Sequence, residues 1–82
     1  LLYPMILLDD IDTQAALADY LLKRRKVNRH SRAKLSEIST VPAPTIKKFE
    51  TTGQISLRQF LLLWHRLDDL QKLYKLTQVN PS

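Results

Sequence analysis

Gly53 is the only glycine among 82 residues, and that scarcity constrains the fold more than any other feature. Tight hairpins rest on Gly and Asn-Gly turns, which supply backbone conformations with positive φ. With no such pair and few strand-like runs, the chain reads as all-α. Pro42 and Pro44 then exclude a helix that continues across Ser39–Pro44, because proline removes a backbone donor and clashes with the turn before it. Proline is accepted in a helix's first turn, so a new helix starts near Ala43.

Caps and apolar spacing divide the rest. Asp12-Thr13 is expected to cap a first helix over about Gln14–Asn28, with Ala16, Leu17, Tyr20 and Leu21 as its apolar stripe. Lys23–Lys26 cover its end, where positive charge suits the helix dipole. Ser31 caps a second helix, Arg32–Ser39, with Leu35 and Ile38 turned inward. The third runs from near Ala43 to about Thr51, with Ile46 and Phe49 inward and Thr45, Lys47 and Lys48 outward, and Gly53 closes it in the left-handed conformation. Ser56 caps a fourth over about Leu57–Leu67, with Leu57, Phe60, Leu61 and Trp64 assigned to the core, and Leu70, Leu73, Tyr74 and Leu76 mark a short fifth. The expected layout is an amino-terminal arm over residues 1–12, one compact five-helix domain over 13–77 and a frayed tail over 78–82. Met5–Leu8 reads either as a short strand or as a docking arm.

A chain of this length buries one core and not two. The absence of cysteine excludes disulfides and thiolate metal sites and, with no secretory signal in the sequence, points to a reducing cytoplasm. Leu1–Leu8 is apolar but is broken by Pro4 and closed by Asp9-Asp10. No apolar run approaches the roughly 20 residues of a membrane span, so no membrane association is expected. Met5 is one candidate start, which leaves Leu1–Pro4 as an upstream remnant.

The net charge is +5 and the pI about 9.8, yet between Lys23 and Lys48 nine basic residues face one acid, Glu37. Two short helices, a tight turn and a basic face read as a helix-turn-helix aimed at DNA. By position on the third helix the base-facing set is Ala43, Pro44, Thr45, Lys47 and Lys48, with Arg32 close enough to join. Lys47 and Lys48 would otherwise be a solvated helix face. Ser31, Arg29 and Lys34 are expected at phosphates. No catalytic residue, metal site or cofactor is expected: His30 and His65 stand alone, and no serine or carboxylate has a context for activation. Asp68-Asp69 reads as the start of the fifth helix or a pair that repels DNA, and Phe49, Phe60 and Trp64 as core.

The order of residues adds a resemblance. Ser31-Arg32-Ala33-Lys34-Leu35-Ser36-Glu37-Ile38, followed by Thr40-Val41-Pro42-Ala43-Pro44-Thr45-Ile46-Lys47-Lys48-Phe49-Glu50, resembles the lambda-repressor-like (Cro, XRE) helix-turn-helix family. The run Phe49–Leu57 is similar to the HipB-type branch, the DNA-binding components of toxin and antitoxin operons. The resemblance covers about Thr13–Leu76. It departs at Thr40, where the family usually has Gly, at Ser36 in place of Ala, at His30 in place of an apolar residue, and at Ala43 and Pro44 in place of polar recognition residues.

The resemblance implies operator binding by a homodimer and transcriptional repression of the chain's own operon, in the bacterial cytoplasm at the nucleoid. It also implies a partner, a HipA-like serine/threonine kinase toxin or an associated antitoxin subunit. It adds the loop Thr52, Gln54 and Ser56 with Arg58 to the phosphate contacts, and pairs Arg25 with Glu50 as a structural salt bridge. For the dimer surface the expectation is Leu62, His65, Leu70, Leu73 and Tyr74, an apolar surplus on a small core, with Met5–Leu8 as the next candidate. A rival stays open in which the chain is an antitoxin-type interaction module that docks on a kinase toxin, with DNA contact secondary; a weaker rival is RNA binding.

Overall fold

Side-chain caps set most of the helix starts. The computed structural model describes residues 8–80, with α1 over Asp10–Val27, α2 over Arg32–Ser39, α3 over Ala43–Thr52, α4 over Leu57–Leu67 and α5 over Leu70–Tyr74, followed by a 3₁₀ turn at Lys75–Thr77. The fold is all-α, with no strand among the described residues. Ser31 Oγ accepts from the Lys34 N–H at 3.0 Å and Ser56 Oγ from the Gln59 N–H at 3.1 Å, as their sequence context predicts. The starts of α2, α3 and α4 agree with the sequence expectation.

The start of α1 does not. The cap is Asp9, whose Oδ1 accepts from the Asp12 N–H at 2.7 Å, so α1 begins at Asp10, inside the segment expected to be an arm. Asp10 and Asp12 then lie in the first turn, where the dipole favours negative charge. Apart from Leu8, the expected strand or arm at Met5–Leu8 lies outside the described residues, as do the last two residues of the tail.

The core is Ala18, Leu21, Leu35, Val41, Ile46, Phe49, Phe60, Leu63, Trp64 and Leu67. In α1 the buried stripe runs through Ala18, Leu21 and Arg25, and Ala16 is exposed. In α4 it runs through Phe60, Leu63, Trp64 and Leu67, whereas Leu57 and Leu61, assigned to the core from the sequence, are exposed. Helical geometry explains the correction: residues 60, 63, 64 and 67 share one arc, and residues 57 and 61 fall on its edge and beyond it. Phe49 meets Phe60 edge-on at a centroid distance of 5.9 Å, and Trp64 lies 5.8 Å from Phe60 and 5.5 Å from Tyr20. Aromatic packing therefore ties α3 to α4 and α4 to α1.

α5 buries no side chain fully and is held by polar pins. Asp69 caps it, and the Trp64 indole N–H donates to the Asp69 carbonyl at 2.8 Å. Asp68 accepts hydrogen bonds from the Tyr20 hydroxyl, the Asp69 N–H and the Lys72 ammonium, which hold its carboxyl far below the usual range. Arg24 Nε donates to the Leu67 carbonyl at 2.9 Å, so α1 also holds the end of α4. Of the two readings of Asp68-Asp69, the start of the fifth helix matches this geometry.

Among the described residues, three adopt the left-handed backbone: Arg29 at φ 57°, Thr40 at φ 67° and Gly53 at φ 78°. Arg29 closes α1 with a Schellman arrangement, in which the His30 N–H donates to Arg25 O at 3.1 Å and the Arg29 N–H to Lys26 O at 3.0 Å. Thr40 ends α2 where a glycine would be unstrained, and the next backbone N–H, that of Val41, donates to Ser39 Oγ at 3.1 Å. A Cβ on Gly53 would meet Gln14 Cβ at 3.2 Å. Thr40→Gly is expected to raise stability by about 1 kcal/mol, because the left-handed cost for a β-branched residue exceeds the added chain entropy of glycine. Gly53→Ala is expected to lower it by roughly 1–2 kcal/mol. Urea unfolding of the two variants beside the parent measures both signs.

Candidate nucleic-acid interface

α2 and α3 are joined by Thr40-Val41-Pro42, a connection too short for anything but a close helix pair. Leu35 and Val41 are fully buried, with Ser39 buried beside them, so the turn is packed down and not draped over the surface. Ile46 and Phe49 anchor α3 in the core, and Pro44, Lys47 and Lys48 are exposed on its outer side, with Ala43 and Thr45 half-buried. Pro42 and Pro44 flank the start of α3, whose first turn carries no side-chain cap.

The polar centre of the assembly is Glu50, one residue beyond Phe49, with its side chain 4% exposed. Arg25 of α1 grips it with two bonds, Nε to Oε2 at 2.7 Å and Nη2 to Oε1 at 3.1 Å, and its Nη1 donates to the His30 carbonyl at 2.9 Å. Arg32, the first residue of α2, donates from Nε to Glu50 Oε1 at 2.8 Å. Burial opposes the charge on Glu50, but the hydrogen bonds and charges of Arg25 and Arg32 outweigh it and hold the carboxyl below its ordinary value. One carboxylate thus joins the end of α1, the start of α2 and α3 in one network.

The Arg25–Glu50 pair matches the expectation, and the structure adds a third member. Arg32, expected among the base-facing residues, spends one donor on Glu50. Sequence offered no signal for this contact, since the two residues stand 18 apart in different helices. Ser31 and Ser56 use their hydroxyls as helix caps, and their backbone N–H groups lie at helix starts. Thr52 Oγ1 donates to the Lys48 carbonyl at 2.6 Å and accepts from the Gln54 N–H at 3.1 Å, so it shapes the loop after α3. Lys34 pairs with Glu37 at 3.4 Å, both exposed. Arg58 lies on the wall of a groove along α4 with Leu57, Leu61 and Leu62.

The basic run is smaller as a field than as a count. Lys23 pairs with Asp19 at 2.8 Å, Arg24 is turned to Leu67 and Asp68, and Arg25 and Arg32 are held by Glu50. Lys26, Arg29, Lys47 and Lys48 are exposed and form no ion pair among the described residues. No group of three or more His, Asp or Glu side chains that could hold a metal occurs among the described residues, and no helix there is long and apolar enough to cross a membrane. Comparison with family models, with curated proteins and with solved structures found no match.

Removal of the charge at Glu50 leaves two guanidinium groups around a neutral, buried side chain. Glu50→Gln is expected to destabilise the fold by about 3 kcal/mol, the range for breaking a buried pair. The folded-state carboxyl titrates below the ordinary 4.5, so its contribution is complete above that value and is lost as pH falls through the lower folded one. Urea midpoints collected from neutral to acid pH check this: the gap between parent and variant should narrow on acidification.

Proposed function

We propose that this chain is a DNA-binding domain that reads duplex operators in the major groove through α3 and acts as a transcriptional repressor. The observation that carries the reading is the opposition of the two sides of α3: Ile46 and Phe49 are buried and Glu50 is clamped, while Pro44, Lys47 and Lys48 are exposed beside a tight turn from α2. A helix fixed on its inner side keeps its outer residues in a constant orientation, as base readout requires. Lys48 can donate to guanine O6 or N7, and the methyl groups of Thr45 and Ala43 can meet a thymine methyl. Arg29, Lys34 and the N–H groups at the start of α2 suit phosphates.

A single domain of this size makes few base contacts, so selective occupancy calls for a second copy on a second half-site, with the two recognition helices about 34 Å apart. Binding of such a pair across a promoter blocks transcription, including that of the chain's own operon, in line with the resemblance drawn from the sequence.

Titration of a random duplex, a random single strand and a selected palindrome at two salt concentrations tests the reading. Duplex affinity should fall with salt by a log–log slope of about −0.9 for each phosphate neutralised. Lys34→Ala should weaken random and selected duplexes alike and reduce the slope by about 1. Lys48→Ala should cost roughly 1–3 kcal/mol on the selected site and relax preference at one position per half-site. No duplex binding at low salt, or tighter binding of the single strand, would end the proposal.

A further inference from the structure

Two of the exposed apolar features outside the core and outside the α2–α3 face differ in the charge around them, and a further one, lined by Leu61, Leu70, Leu73, Tyr74 and Thr77, continues from the first along α5. The first is a groove of about 410 Å³ along α4, lined by Leu57, Arg58, Leu61, Leu62, His65 and Leu70. Its floor is aliphatic, its polar lining residues are the basic Arg58 and His65, and no lining residue is acidic. Leu57, one of its lining residues, is 72% exposed. The second feature is the start of α1, where Leu8 and Ile11 are 73% and 68% exposed and are interleaved with Asp9, Asp10 and Asp12. One feature is apolar and basic and the other apolar and acidic.

They are neighbours. Gln14, one turn beyond Ile11 on the same side of α1, lines a smaller cavity together with Leu57, and the Gln14 amide donates to the Gly53 carbonyl at 3.3 Å. Leu57 thus borders both the groove and the turn of α1 at Gln14–Leu17, which follows Ile11. Adjacent patches of opposite character on one chain are what a twofold contact needs, since in such a contact patch one meets patch two and patch two meets patch one.

We infer that this chain forms a twofold dimer by reciprocal exchange, in which Leu8 and Ile11 of each copy enter the α4 groove of the other and Asp10 and Asp12 face Arg58 and His65. The inference deepens the DNA-binding proposal by giving its second copy a surface, and it stands on exposure and charge. Charge complementarity selects the occupant. A groove-to-groove contact would set Arg58 and His65 against their own copies, whereas the exchanged contact sets each against carboxylates and covers Leu57. Asp9 is kept for the α1 cap by its bond to the Asp12 N–H. Arg58, expected at phosphates from the resemblance, is assigned here to the rim of this groove.

Two charge-reversed variants test the exchange without DNA. Asp10→Lys with Asp12→Lys makes both contacts of a dimer positive, and Arg58→Glu with His65→Glu makes both negative. Sedimentation equilibrium should find the parent dimeric and each variant alone shifted towards monomer by at least tenfold in its dimer dissociation constant. An equimolar mixture should regain a dimer, because each of its two contacts then joins unlike charges. Circular dichroism of each variant reports that the helices persist. A parent that stays monomeric, variants that stay dimeric alone, or a mixture that stays monomeric while both variants keep their helices would each overturn the inference. Electrophoretic shift of a random duplex by the same parent sample is scored separately, so a dimer that ignores DNA defeats the proposed function alone, and a monomer that binds DNA defeats the exchange alone.

Discussion

A single carboxylate organises half of this molecule. Glu50 accepts from Arg25 and Arg32, and Arg25 also reaches the carbonyl of His30, so the exit of α1, the entry of α2 and the far end of α3 meet at one point. Hydrophobic packing brings these helices together but leaves their angles loosely defined, since apolar contact has no direction. The bidentate guanidinium fork supplies direction, because its planar geometry accepts only a narrow range of approaches. The cost is that a buried ion network adds little net stability compared with apolar residues of the same size. Its value lies in orientation.

The helix pattern was largely legible in the sequence because the informative signals are local. Ser31, Ser56 and Gly53 act within a few residues of themselves, and the structure uses each as its neighbours suggest. Local signals also misled where two were present: Asp12-Thr13 precedes the apolar stripe, but Asp9 offers an earlier cap and wins because four more residues, Asp10–Thr13, then join the helix. In α4 the sequence is apolar on too many sides for periodicity to choose one, so Leu57 and Leu61 were assigned inward although they lie off the arc of Phe60, Leu63, Trp64 and Leu67. Apart from Arg25 with Glu50, which the family resemblance supplied, contacts between distant residues left no trace. Arg32 with Glu50, Tyr20 with Asp68 and Arg24 with Leu67 join helices across 18, 48 and 43 residues, and the basic run looked like one uniform field because these partners were invisible.

The excess of apolar residues on α4 has a structural meaning. A core this small fills with one side of the helix, and the other side becomes surface whose aliphatic character must be tolerated or used. The basic residues of that surface lie beside Leu57, which also shares a cavity with Gln14 and Leu17 of α1, while the Glu50 network lies with α2 and α3.

Trp64 has a consequence of another kind. It is the only tryptophan in the chain, it is packed between Phe60 and Tyr20, and its indole N–H is bound to the carbonyl of Asp69, the residue that caps α5. Its emission therefore senses both the aromatic core and the seating of the last helix. Release of α5 exposes one edge of the indole to water and shifts the emission to the red, while the far-ultraviolet helix signal changes little because α5 has only five residues. The protein carries an optical probe of its own carboxyl-terminal edge, in place without any label.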